Sequence, residues 1–167
     1  MKNLLKLDVL DISNYIIDQF EEKQINDLTN TKLQKILFYS FVKYLVDNSA
    51  NQNNLKTLMD DSFEAWEYGP VCPLVYFKFK DAQYSVLKEH PEGNKNHLFG
   101  PEYQKLKQAI DAVINLYGNR TAFDLSKQTH NEDPWLYSFN DLDYLHNKPI
   151  DNQHLYNYYS AYPINKD

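Results

Sequence analysis

Val9, Ile12, Ile16 and Phe20 fall at helical spacing and predict a first amphipathic helix over about 8–23, capped by Asp8. A turn at Leu28-Thr29-Asn30 separates it from a second helix. There Thr31-Lys32-Leu33-Gln34 fits a capping box, in which hydroxyl and amide side chain satisfy each other's free backbone donors. Leu33, Ile36, Leu37, Phe41, Tyr44 and Leu45 share one face, which Phe38, Val42 and Val46 widen. A helix apolar over most of its girth belongs at the centre of a core. Lys32, Lys35, Tyr39 and Lys43 make up the remaining polar stripe and read as a solvated face.

The period then changes. After a polar stretch over 47–61, Phe63, Ala65 and Glu67 alternate with Glu64, Trp66 and Tyr68, as in a strand with two covered faces. Gly69-Pro70 is expected to stop this strand. Pro73 can open a helix, since a first-turn proline loses no needed hydrogen bond, with Leu74, Val75, Phe77 and Phe79 turned inward. A second polar loop covers 88–101. Pro101 then begins a helix through Tyr103, Leu106, Ile110, Val113, Ile114 and Tyr117, which Gly118 ends. Thr121 caps a short helix reaching Thr129, Pro134-Trp135 open a further turn, and Asp151 caps a last helix with Leu155, Tyr158 and Tyr159. The expectation is a mainly α protein, a single compact helical domain over 1–167 with a small β element around 62–68. Its 167 residues suit one domain.

Composition narrows the function classes. Cys72 is the one cysteine, so no internal disulfide and no multi-cysteine zinc site can form. The first residues carry no long apolar run, and no stretch reaches the roughly 18 apolar residues of a membrane span, so a cytoplasmic address is expected. The formal charge is −6, and Arg120 is the one arginine among 17 basic residues. Arginine is the usual reader of phosphate forks and guanine edges, so nucleic acid is a poor partner.

The chemistry-bearing residues do not assemble into a site. No His-Glu-x-x-His zinc pattern, glycine-rich phosphate loop or Gly-x-Ser-x-Gly elbow occurs. No catalytic, cofactor or metal residues are assigned. Cys72, between Val71 and Pro73, reads as a small apolar residue rather than as a nucleophile paired with His130. His130 ends its helix, where a histidine suits the dipole and the free carbonyls. Its competing reading is the base of a small hydrolase, with Glu64, Glu67 or Asp133 as the carboxylate.

One ordered set of residues carries more. Leu33-Gln34-Lys35-Ile36-Leu37-Phe38-Tyr39 is followed by Phe63-Glu64-Ala65-Trp66-Glu67-Tyr68-Gly69-Pro70-Val71, then Tyr117-Gly118, then Leu125-Ser126, then Thr129-His130 and Pro134-Trp135. This set resembles the Panacea domain family of SocA-like antitoxins, often encoded in phages and mobile elements, over about 9–160. Cys72 stands where the family pattern leads one to expect an aliphatic residue. The resemblance implies a helical protein-binding module that neutralises a partner toxin by direct contact, in some members as an adaptor delivering it to a protease. It also implies that the motif residues Leu33, Lys35, Tyr39, Trp66, Tyr68, Gly69, Pro70, Leu125, Ser126, Thr129, His130, Pro134 and Trp135 are scaffold. The partner surface is then expected in the polar loops and in the acids Glu132, Asp133, Asp141, Asp143 and Asp151, which would steer a basic toxin. The alternative is an accessory protein of a mobile element with no dedicated toxin.

Overall fold

The broad apolar stretch of the second helix becomes the axis of the fold. A computed structural model describes residues 7–59, 62–141 and 147–164. In chain order the elements are α1 (Val9–Glu22), α2 (Asn30–Asn48), β1 (Glu64–Trp66), β2 (Gly69–Val71), α3 (Pro73–Lys78), α4 (Gln104–Tyr117), α5 (Ala122–His130), α6 (Asp133–Phe139) and α7 (Asn152–Ala161). The chain is mainly α-helical. Helix α2 touches α1, α3, α4, α5, α7 and β2. Leu33, Ile36, Leu37, Phe38, Phe41, Val42 and Leu45 are all buried along it. Each such side chain contributes roughly 1.5–3 kcal/mol relative to exposure, so this helix carries much of the core.

The local signals at the helix ends act as their chemistry predicts. Asp8, Thr121 and Asp151 accept hydrogen bonds from the backbone N–H groups of Leu10, Asp124 and His154. Helix α2 departs from expectation. Its cap is Thr29, which accepts from the Lys32 N–H, and not Thr31. Gln34 is thereby released from any capping box and turns into the interior.

The polar stripe of α2 is a second correction. Lys32 is 0% and Lys35 1% exposed, and Tyr39 is fully buried. Lys32 is compensated: its Nζ lies 2.6 Å from Asp27 Oδ1 and 2.7 Å from the Gly118 carbonyl. These lysines hold neighbouring elements and do not form a basic face.

The β element is a hairpin. Gly69-Pro70 does not stop the strand but starts its partner, with Glu64 opposite Val71, Ala65 opposite Pro70 and Trp66 opposite Gly69. The other edge of β1 meets the 148–150 segment, through the Ala65 N–H to the Lys148 carbonyl and the Ile150 N–H to the Phe63 carbonyl, both 2.8 Å. Val75 in α3 and Phe79 just after it pack inward as expected, whereas Leu74 and Phe77 are 41% and 56% exposed. The helix has only six residues and packs against α1 and α2, which leaves Leu74 and Phe77 on its outer side.

Candidate protein-interaction site

A two-stranded hairpin is marginal alone, and this one is held by side chains from three helices. Lys35 Nζ donates to the Pro70 carbonyl at 3.1 Å, and Gln34 Oε1 accepts from the Cys72 N–H at 2.9 Å. Gln34 Nε2 donates in turn to Asn30 Oδ1, and Asn30 Nδ2 to the Tyr76 carbonyl, both at 3.0 Å. From the opposite side Trp135 Nε1 donates to the Trp66 carbonyl at 2.8 Å. The His130 ring donates to the Glu67 carbonyl. Residues far apart in sequence thus close the polar groups of one small turn.

Gly69 sits where these supports meet. Its φ is +116°, a region that L side chains rarely adopt. A Cβ there would lie 2.5 Å from Lys35 Cε and 2.8 Å from Thr129 Oγ1. Gly69→Ala is therefore expected to destabilise the protein by about 1–3 kcal/mol. A urea-unfolding midpoint unchanged from the parent would contradict this reading of the turn.

The remaining motif residues surround the hairpin. Leu33 and Leu125 are buried in the core, Ser126 and Thr129 line the inner side of α5, and Pro134 and Trp135 open α6. Trp135 is stacked between His130, with centroids 4.1 Å apart, and Phe139 at 4.6 Å. Tyr68 is the exception: at the tip of the turn it is 67% exposed.

His130 does not meet a carboxylate among the described residues. Its ring is pressed against Trp135, its Nε2 is buried without a partner, and its donor is spent on backbone. Burial, reinforced by the positive charge of Lys35, holds it below the ordinary histidine pKa, although the bond to Glu67 opposes the shift. This arrangement removes the support for a His130–carboxylate hydrolase. Cys72 is buried in the core, as expected of a small apolar residue.

The five acids expected on the partner surface separate. Glu132 is a correction: its Oε1 accepts from the hydroxyls of Tyr39 at 2.5 Å and Tyr159 at 2.9 Å. Gln128 Nε2 donates to the Tyr39 hydroxyl at 3.1 Å, and Arg120 donates to Gln128 Oε1. Burial pushes the Glu132 carboxyl up from its ordinary pKa, while the two phenols oppose the shift. Two buried tyrosines therefore draw Glu132 inward, away from the surface. Asp133 and Asp151 are exposed, and both engage His154, at its ring Nε2 and its backbone N–H. Asp141 pairs with Lys148. Asp143 lies outside the described residues.

The 88–101 loop is fastened to α1. Asn14 exchanges hydrogen bonds with the His90 backbone, Asp11 Oδ1 accepts from the Asn94 N–H, and Lys95 bridges Asp18 and Glu89. Aromatic surface appears elsewhere. A groove of about 390 Å³ beside the hairpin turn is lined by Trp66, Tyr68, Tyr76 and Tyr84, with Glu67 among its walls and Lys35 and Gln34 from α2. Sequence reasoning missed this groove, because its rings come from four separate places, β1, the turn, α3 and the chain after α3, which only the fold brings together.

Comparison with known proteins gives one curated relative. Antitoxin SocA of Caulobacter vibrioides (strain NA1000 / CB15N) is 27% identical over 136 residues, spanning 77% of this chain and 69% of that protein. No solved structure matches. The family described as Antitoxin SocA-like, Panacea domain matches residues 33–136. That span begins at Leu33 in α2 and ends one residue beyond Trp135, so it encloses the hairpin and every side chain described above as holding it except Asn30. With more than half of its length matched, the chain belongs to the SocA-like antitoxin family of Panacea domains.

Proposed function

We propose that the chain is an antitoxin that neutralises a cognate toxin protein by direct contact, without chemistry of its own. Family membership is the observation that carries this reading. The positions of the motif residues support a scaffold role for most of them, since Lys35, Trp135 and His130 engage backbone groups of the hairpin. Contact with the toxin falls to exposed residues. Asp133 and Asp151 remain candidates, with Asp141 and Asp143 beside them in sequence. No helix among the described residues is long and apolar enough to cross a membrane.

The test begins with co-purification from the native host and identification of a stoichiometric small protein. That protein is expected to arrest growth when expressed alone, and co-expression of this chain is expected to restore growth. Rescue with the toxin intact in a purified complex supports neutralisation by contact. Rescue that depends on a protease, with loss of the toxin, assigns the adaptor route instead. Arrest that this chain does not relieve overturns the proposal.

A further inference from the structure

The groove beside the hairpin is lined by aromatic rings. The Trp66 and Tyr76 rings meet at 63° with centroids 5.0 Å apart, forming a corner. Tyr68 and Tyr84 are exposed at its margin. A cation over the face of tryptophan or tyrosine is attracted by the ring quadrupole, and tryptophan attracts it most. The Trp66 indole N–H donates to Glu64 Oε1 at 2.9 Å, which draws negative charge to the ring. The exposed Glu67 adds a second carboxylate among the lining residues. Lys35 is the cation that shares these walls, but it is buried and its ammonium is turned to the Pro70 carbonyl.

We propose that this groove receives a basic side chain, arginine by preference, presented by the protein partner. A planar guanidinium stacks on the corner of rings while its edge donors reach the Glu67 carboxylate, a fit that lysine matches less well. An acidic chain, at −6 overall, also favours a basic partner surface. The proposal rests on the antitoxin reading only for the partner's identity.

Two indole N–H signals, from Trp66 and Trp135, make the test direct in ¹H–¹⁵N spectra of the full chain. The probe is acetyl-Gly-Arg-Gly-amide, compared with its citrulline counterpart of like shape without charge and with acetyl-Gly-Glu-Gly-amide. The arginine peptide is expected to shift the Trp66 signal saturably, and the buried Trp135 signal is expected to stay and report an intact fold. Affinity for the citrulline peptide, and that of Glu67→Gln for arginine, is expected to fall about two- to fivefold. Tyr68→Ala, at an exposed tip, is expected to weaken binding without altering the Trp135 signal. Equal binding of the citrulline peptide, preference for the glutamate peptide, or no saturable shift overturns the proposal. Failure of this chain to relieve a toxin would instead overturn the antitoxin reading and leave a positive peptide result standing.

Discussion

Replacing Trp135 by alanine is expected to lower the free energy of unfolding by about 3–5 kcal/mol, a large share of the roughly 5–15 kcal/mol that a domain possesses. The ring is 6% exposed, and its removal empties the space between His130 and Phe139. It also removes the indole donor from the Trp66 carbonyl, an acceptor that sits on the hairpin and not in α6. The loss therefore reaches the turn that carries Tyr68. Trp135→Phe separates the two effects: a ring remains, the N–H does not, and the cost falls to about 1 kcal/mol for the hydrogen bond plus a small packing loss. Urea unfolding of both variants checks this. Near-equal costs would mean that the indole N–H matters more than the packing of the ring.

The second large effect is a rise in stability with pH. Burial lowers the Lys35 pKa from 10.5 to about 7, and no carboxylate among the described residues pairs with it. The unfolded chain keeps that proton up to about pH 10.4, whereas the folded chain gives it up above about 7. Between these values the unfolded state binds more protons, so stability increases as pH rises. The gain approaches about 1.4 kcal/mol per pH unit, or roughly 2 kcal/mol from pH 7 to 9. The rise ends near pH 10, because burial lifts the Tyr39 and Tyr159 hydroxyls well above their ordinary pKa and stability then falls as the unfolded tyrosines ionise. Glu132 acts with the opposite sign at acid pH, where its raised pKa makes stability fall as pH climbs through it. Lys35→Met keeps the length of the side chain without the titrating amine and is expected to flatten the profile between pH 7 and 9. Parallel profiles for the two proteins would rule Lys35 out as the cause.

Much of the fold is legible in the sequence because its signals are local. Asp8, Thr121 and Asp151 cap helices with atoms two or three residues away, and the apolar period of α4 needs no partner to be read. The misread positions depend on distant chain. Lys35 stands at the spacing of a solvated stripe, but the Pro70 carbonyl that it satisfies lies 35 positions away. Gln34 has the same cause: the Cys72 N–H needs an acceptor, and only the folded hairpin brings it there. Glu132 looks like one of a run of acids until Tyr39 and Tyr159 arrive from two other helices. The motif residues are visible in sequence as an ordered set, but their convergence on one turn is a property of tertiary structure.

The closed edges of the hairpin constrain how a partner can bind. The 148–150 segment occupies one side of β1, while on β2 a proline lacks the N–H and α2 side chains take the Pro70 carbonyl and the Cys72 amide. At this hairpin an extended peptide therefore finds no ladder to join, and two copies of the chain find no free edge here to pair strand to strand. Backbone pairing accepts almost any sequence, so its exclusion leaves recognition to the identity of side chains. If the proposed groove is the contact, substitutions at the exposed Tyr68 and along the rim change which partner is accepted, while the buried Lys35, Thr129 and Trp135 beneath them stay the same.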